Sequence, residues 1–174
     1  MALAHFTALV PVEPGREEAL RKTLAELGAD HTSPFGDVPG THMARLYVLD
    51  HYGGRLRGPV SHRRLEPSLL VLAAVVDGPV ATWLGELQRR IEPTAEAVWT
   101  HCSGFPGVAG DAFAAWLAGH DVQPSFDVIA HKDGSLPAVR TGLDLRARLG
   151  EFAARMQGAA PAVVRAAYRG WFGP

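Results

Sequence analysis

Polar side chains with useful chemistry recur at alternating positions of three short apolar segments. Histidine exchanges a proton near neutral pH and arginine binds carboxylates and enolates, so a group of such residues can bind and activate a small polar molecule. Because side chains alternate across a strand, every second residue of each segment belongs to one face. The polar face collects His5, Thr7, Arg45, Tyr47, Asp127 and His131.

From this face we predict a catalytic group of Arg45, His131, Asp127, Tyr47 and His5. Arg45 would orient an anionic or carbonyl substrate, and His131 or His5 would move a proton. The structural alternative is an ion pair between Arg45 and Asp127, with the tyrosine and the histidines at a wet sheet edge or a dimer interface. Ion-pair networks of this kind perturb pKa values just as active sites do.

Two further histidines, His101 and His120, are candidates to hold a cofactor. They flank a segment whose aromatic side chains could sandwich a flat macrocycle, and imidazole is a common ligand of haem iron. Haem is therefore the candidate cofactor, and the alternative is that each histidine is a capping or surface residue. No two histidines have the spacing of a metalloprotease helix with an acid between them, so we predict no metal site. The aromatic residues are Trp99, Phe105, Phe113 and Trp116.

The charge of the chain is nearly balanced, with 17 Lys and Arg against 18 Asp and Glu. No overall positive field gathers phosphates or an anionic membrane surface, so we expect neither nucleic acid nor a membrane as a partner. One local basic cluster is interpreted as a solvated loop, with binding of an anionic ligand or an acidic partner as the alternative. Its members are Arg55, Arg57, His62, Arg63 and Arg64.

Cys102 is the single cysteine, so it forms no disulfide within the chain. It follows His101, but a nucleophile and its base need hydrogen-bond geometry in space, and we predict a buried small apolar role for the thiol. The first ten residues lack a basic segment followed by a long apolar stretch, and no apolar run is long enough to cross a bilayer. We therefore expect a cytoplasmic protein.

The elements that must position these residues follow from hydrophobic periodicity and turn chemistry. A long polar connection is predicted over 51–67, between the second and third strands. The C-terminal region carries an amphipathic helix of about five turns and a last short helix. The predicted strands are 6–12, 41–50, 69–76 and 125–131, and the predicted helices of the core are 16–27, 79–91, 94–101 and 111–119.

The order of these elements is that of the split βαβ motif, with a helical insertion before the fourth strand. We predict an α+β, ferredoxin-like antiparallel sheet with strand order 4-1-3-2 and C-terminal helices. One domain is expected over residues 1–174, with its core at about 5–131 and a helical extension at about 139–172. Such a sheet has helices on one face only, so a second copy, a ligand or the terminal helices must cover the other.

With this order of elements, the segments 39–45 and 101–107 resemble landmarks of the ferredoxin-like dimeric α/β-barrel superfamily. The resemblance covers roughly residues 5 to 131. It implies a homodimeric small-molecule enzyme of metabolite biosynthesis, either an acid–base catalyst or an oxidoreductase of the monooxygenase, cyclase or haem-dependent kind. The Gly-x-x-Asp-Gly haem motif of the dye-decolourising peroxidases is not present. The alternative is a non-catalytic protein for ligand binding or assembly.

Overall fold

A computed structural model of the chain describes residues 3–29, 33–54, 61–124 and 134–173, with the backbone alone at 53, 54, 61 and 62. The chain divides into two compact units, Met1–Asp133 and Gly134–Pro174. The first contains the predicted sheet core and the second the predicted helical extension. That the whole chain is one domain stays a prediction.

Three antiparallel strands form the described sheet of the first unit, in the order β1-β3-β2. Each strand contains a run of apolar and β-branched residues, which favour strands, and turn residues separate these runs. The predicted α+β class is thereby confirmed. The bounds are β1 Leu3–Pro11, β2 Thr41–Gly54 and β3 Ser61–Asp77, with a 3₁₀ turn at Pro34–Asp37 and helices α1 Glu17–Leu27, α2 Val80–Arg90, α3 Glu92–Trp99 and α4 Ala112–Ala118.

One face of the sheet carries the hydrophobic core, and the predicted alternation is confirmed there. Phe6, Ala8 and Val10 of β1 are each at most 1% exposed, whereas the residues between them are half-buried. On β3 the equivalent set is Leu70, Leu72, Ala74 and Val76, and the helices add Leu20, Leu84, Leu87 and Val98 from above. This side is the helix face, and the opposite side, which carries His5, Thr7, Arg45 and Tyr47, is the outer face.

An aromatic cluster anchors the helical insertion to the core. Trp99 and Phe113 are 0% exposed and meet edge to face, with ring centroids 5.1 Å apart. Phe105 packs against Phe113 at 5.9 Å and against Trp116 at 5.7 Å. Edge-to-face contacts at these distances are favourable beyond the area they bury. The cluster therefore links α3, the loop after it and α4 in one packed unit.

A hairpin arm replaces the predicted polar connection over 51–67, and that prediction was wrong. β2 continues to Gly54 and β3 begins at Ser61, with His51 opposite Arg64 and Tyr52 opposite Arg63. These four side chains are exposed, so neither side of the arm shows the apolar alternation that marks a strand in the sequence. Backbone pairing forms the arm without that pattern.

Two other stretches of chain line the edge of β1 that faces away from β3. The Val122 N–H donates to the Thr7 carbonyl at 2.7 Å, and the Leu9 N–H donates to the His120 carbonyl at 3.1 Å. Nearer the end of the strand, the Ser103 N–H donates to the carbonyl of Pro11 at 2.9 Å. The predicted fourth strand, 125–131, lies outside the described residues.

The second unit is a pair of helices, α5 Leu136–Arg155 and α6 Pro161–Phe172. Phe152 is 8% exposed, and aromatic rings of α6 surround it. Arg148 and Arg155 each lie 5.2 Å from the centre of one of these rings, within cation–π range. The rings are those of Tyr168, Trp171 and Phe172. No helix in the described ranges is long and apolar enough to cross a membrane.

Candidate functional site

The outer face presents an aliphatic floor with polar side chains on both flanks. Its floor belongs to β3, where Val71, Ala73 and Val75 share one side of the strand. The register sets His5 opposite Val75 and Arg45 opposite Ala73, on the two neighbouring strands. Since neighbouring strands lie about 4.8 Å apart, β1 and β2 flank a floor about 10 Å wide.

The structure brings three of the five predicted catalytic residues to this face. Arg45 is exposed and Tyr47 is 46% exposed on β2, and His5 is half-buried on β1. Among the described residues the Arg45 guanidinium has no carboxylate within 4.0 Å. Asp127 and His131 lie outside the described residues, so their place in the group stays a prediction.

A histidine–aspartate pair that the sequence analysis did not select closes one end of the outer face. The His42 Nε2 atom lies 2.9 Å from Asp77 Oδ1, and the side chains are 16% and 3% exposed. Asp77 pairs with Leu3, two residues beyond the His5–Val75 pair, so it has the parity of the outer face. A carboxylate in this position fixes the orientation and tautomer of the imidazole.

Local backbone geometry explains how His42 reaches Asp77. His42 is the extra residue where the β2 register shifts between Thr41 and Met43, and such a bulge redirects a side chain. Gly40 has a φ of +77°, and its backbone lies close to Asp77. A Cβ at this position would lie 3.2 Å from Asp77 Cβ, so the absence of a side chain permits the close contact. The Gly40 carbonyl accepts the Asp77 N–H at 2.8 Å. The turn thus holds both members of the pair.

The two predicted cofactor ligands lie beside the edge of β1. The His120 ring Nδ1 is 2.9 Å from the Trp116 carbonyl, and the ring meets the Trp116 indole edge to face. The His101 ring is partly buried, and its Nδ1 has no hydrogen-bond partner in the described part of the chain. Desolvation, and secondarily the nearby Arg16 charge, lower the pKa of His101. This imidazole is therefore neutral at neutral pH.

These residues do not fit the haem that the resemblance implies. A haem between the aromatic residues needs parallel ring surfaces about 7 Å apart, twice a ring thickness. Three of the ring pairs here meet edge to face, and the fourth, Phe113 with Trp116, is tilted by 30° with its centroids 6.1 Å apart. Trp99 and Phe113 fill the space between themselves and are closed to solvent. In the described ranges, no three side chains among His, Cys, Asp and Glu converge as metal ligands do.

Cys102 is buried at 3% exposure, as predicted, and forms an isolated antiparallel bridge with Val12. Burial, with a smaller contribution from the Glu13 charge, raises the pKa of the thiol from 9.0 to about 12. The thiol ionises at a lower pH in the unfolded chain than in the folded protein. Its contribution to the free energy of unfolding should therefore be complete below about pH 9 and fall as the pH rises towards 12, by about 1.4 kcal/mol per pH unit. Chemical unfolding of the wild type between about pH 8 and pH 11 measures this slope.

The matched variant for the Cys102 slope is Cys102→Ala, which removes the titrating group and keeps the site small and apolar. Other groups that ionise above pH 9 titrate equally in both proteins, so the difference between the two slopes isolates the thiol. Parallel curves for the two proteins would show that the thiol ionises as easily in the folded state as in the unfolded one.

The outer face thus combines an oriented imidazole, a guanidinium without an ion-pair partner among the described residues and an apolar floor. These groups can hold an anion, polarise a carbonyl and accept a proton. Comparisons of this chain with protein-family models, with curated proteins and with solved structures found no match. The chemistry of the residues therefore carries the functional argument.

Proposed function

We propose that the protein binds a small carboxylate or carbonyl compound on the outer face and transfers a proton to or from it. The observation that carries this proposal is the His42–Asp77 pair, with its 2.9 Å contact, on the same face as the exposed Arg45. Arg45 orients the anionic group, and the His42 Nδ1 atom, on the side of the ring away from Asp77, receives the proton. His5 lies on the opposite flank as a second proton carrier.

The ferredoxin-like strand order 4-1-3-2 is part of this proposal, because it adds Asp127 and His131 to the same group. The described order β1-β3-β2 is three quarters of that pattern. Support for a strand beside β1 comes from the antiparallel bridge between Ala8 and Asp121. In the register of that bridge, odd-numbered residues after Asp121 share the side of Ala8, so the proposal includes a shift of one residue that brings Asp127 and His131 to the outer face.

A homodimer formed through the outer face belongs to the same proposal. The floor is aliphatic, and Met43 and Tyr47 on β2 are 40% and 46% exposed. Exposed apolar groups of this kind mark interfaces or ligand sites. They also favour the second candidate function, a non-catalytic assembly protein, in which the partner copy covers the face and no proton is moved.

Pyruvate tests the enzymatic proposal, since it has a carboxylate for Arg45 and acidic protons next to its carbonyl. In D₂O, the protein should speed the exchange of the pyruvate methyl protons, with His42→Gln reducing the acceleration by about 10²-fold or more, as expected for a general base. Arg45→Ala should instead weaken pyruvate binding about tenfold or more, a value that NMR titration gives. The two substitutions thus separate proton transfer from binding.

Arg63→Ala is the matched control for this experiment, because Arg63 is also an exposed arginine of the same sheet and lies in the hairpin arm. It should bind pyruvate and exchange its protons as the wild type does. Binding without exchange in the wild type would favour the assembly function. Exchange that survives in both His42→Gln and Arg45→Ala would refute the site.

A further inference from the structure

A second cleft lies at the other end of the sheet, away from the His42–Asp77 pair and on the helix face. Its volume is about 600 Å³. Three segments form its walls: the turn between β1 and α1, the first part of β3 and the loop after α3. No residue of the proposed proton-transfer site contributes to it, so the two sites are independent.

Three charged side chains line this cleft without neutralising one another. They are Arg64 and Glu66 of β3 and Glu17 at the start of α1. Among the described residues, none of the three has an opposite charge within 4.0 Å. Arg64 and Glu66 both line the cleft from the first part of β3, and Glu17 faces it from α1. The cleft therefore offers separate places for a negative and a positive group.

A buried hydroxyl in the wall of the cleft lacks a partner. Ser68 lines the cleft and is 1% exposed, and its Oγ atom makes no hydrogen bond in the part of the chain described. Its carbonyl accepts the Val12 N–H at 2.8 Å. A buried hydroxyl without a partner is costly, and a ligand or an ordered water that supplies the bond recovers that cost.

The remaining wall is apolar and open. Val12, Pro14, Leu65 and Pro67 contribute to it. At Gly15, in the turn before α1, a Cβ would meet no atom within 4 Å, so the entrance is not crowded. A ligand for this cleft consequently needs an apolar part in addition to its two charges.

We infer that the cleft binds a small apolar zwitterion, a molecule with a carboxylate for Arg64 and an ammonium group for Glu66 and Glu17. Guanidinium groups bind carboxylates with two parallel hydrogen bonds, which gives the ligand its orientation. The hydroxyl of Ser68 becomes the additional polar contact. An α-amino acid with an aliphatic side chain has this chemistry, and so does the dipeptide of the same residue with a longer distance between its charges.

Calorimetric titration of the full chain with L-leucine tests this inference. Saturable binding is expected, and two analogues that each lack one charge, 4-methylpentanoate and 3-methylbutylamine, should bind at least about tenfold more weakly. Leucyl-leucine distinguishes a site for free amino acids from one for peptides, since the better ligand of the two identifies the source. Amide shifts of Gly15 and Ser103 on titration locate the ligand in the cleft.

Arg64→Ala and Glu66→Gln should each weaken leucine binding about tenfold or more, and the neighbouring Arg63→Ala should leave it unchanged. Ser68→Ala should weaken binding without lowering the unfolding temperature, because the hydroxyl that it removes makes no hydrogen bond among the described residues. Unaltered unfolding curves show that the exposed-residue variants are folded. Equal affinity for leucine and its single-charge analogues, undiminished binding by Arg64→Ala, or no saturable binding of leucine and leucyl-leucine would each overturn the inference.

Discussion

Replacing Trp99 by alanine should lower the free energy of unfolding by about 3–5 kcal/mol, the usual cost of deleting a large aromatic side chain from a core. Trp99 is 0% exposed at the end of α3 and contacts Phe113 of α4. The void left behind cannot collapse easily, because α3 packs against α1 and α2 while α4 packs against α2 and β1. Urea unfolding followed by circular dichroism measures the effect.

Trp99→Phe is the matched control. It keeps an aromatic ring against Phe113 and removes an indole N–H that has no hydrogen-bond partner among the described residues. Removing a buried donor without a partner is stabilising, and this offsets part of the free energy lost with the smaller ring. The destabilisation should therefore be well below that of the alanine variant. A Trp99→Ala protein as stable as the wild type would mean that the helical insertion does not contribute to the core.

Replacing Tyr47 by aspartate should raise the dissociation constant of the proposed homodimer by about 100-fold or more. A charge buried in an apolar interface without a partner costs several kcal/mol, and Tyr47 stands on the outer face that the dimer would cover. The side chain is 46% exposed and has no hydrogen bond among the described residues, so the fold tolerates the change. Sedimentation velocity over a range of concentrations measures the dissociation constant.

Tyr52→Asp is the control for this experiment, because Tyr52 is on the same strand, is 50% exposed and lies in the hairpin arm. It should associate as the wild type does. A wild-type protein that sediments as a monomer at all concentrations rules out the homodimer. Equal dimerisation of the Tyr47 and Tyr52 variants would instead move the interface away from the outer face.

The strands and their two faces were predictable because burial leaves a pattern of period two. Phe6, Ala8 and Val10 alternate with the outer-face residues in the sequence, and their burial follows that alternation. Helices α1 and α2 were predictable for the same reason at a helical period. The hairpin arm was not predictable, because the exposed Arg63 and Arg64 pair with β2 through their backbones and give no hydrophobic signal.

Of the candidate site, the sequence predicted the residues that alternate and missed the pair that depends on a bulge. Arg45 and Tyr47 follow strand parity, so simple alternation places them on the outer face. His42 departs from parity where the register shifts, and its partner Asp77 is 35 residues away in the chain. The one local sign is Gly40, whose positive φ permits the close approach, but a glycine before a strand does not identify its partner.

The position of β3 between the other two strands has a consequence for the order in which the sheet assembles. β2 and β3 are joined by a short connection and pair as a hairpin, whereas α1, the 3₁₀ turn and β2 separate β1 from β3 in the chain. Closing the longer loop costs more chain entropy, so the hairpin forms on an ordinary local timescale and the docking of β1 is the slower, later step. We therefore expect the core on the helix face, which needs both β1 and β3, to be completed last.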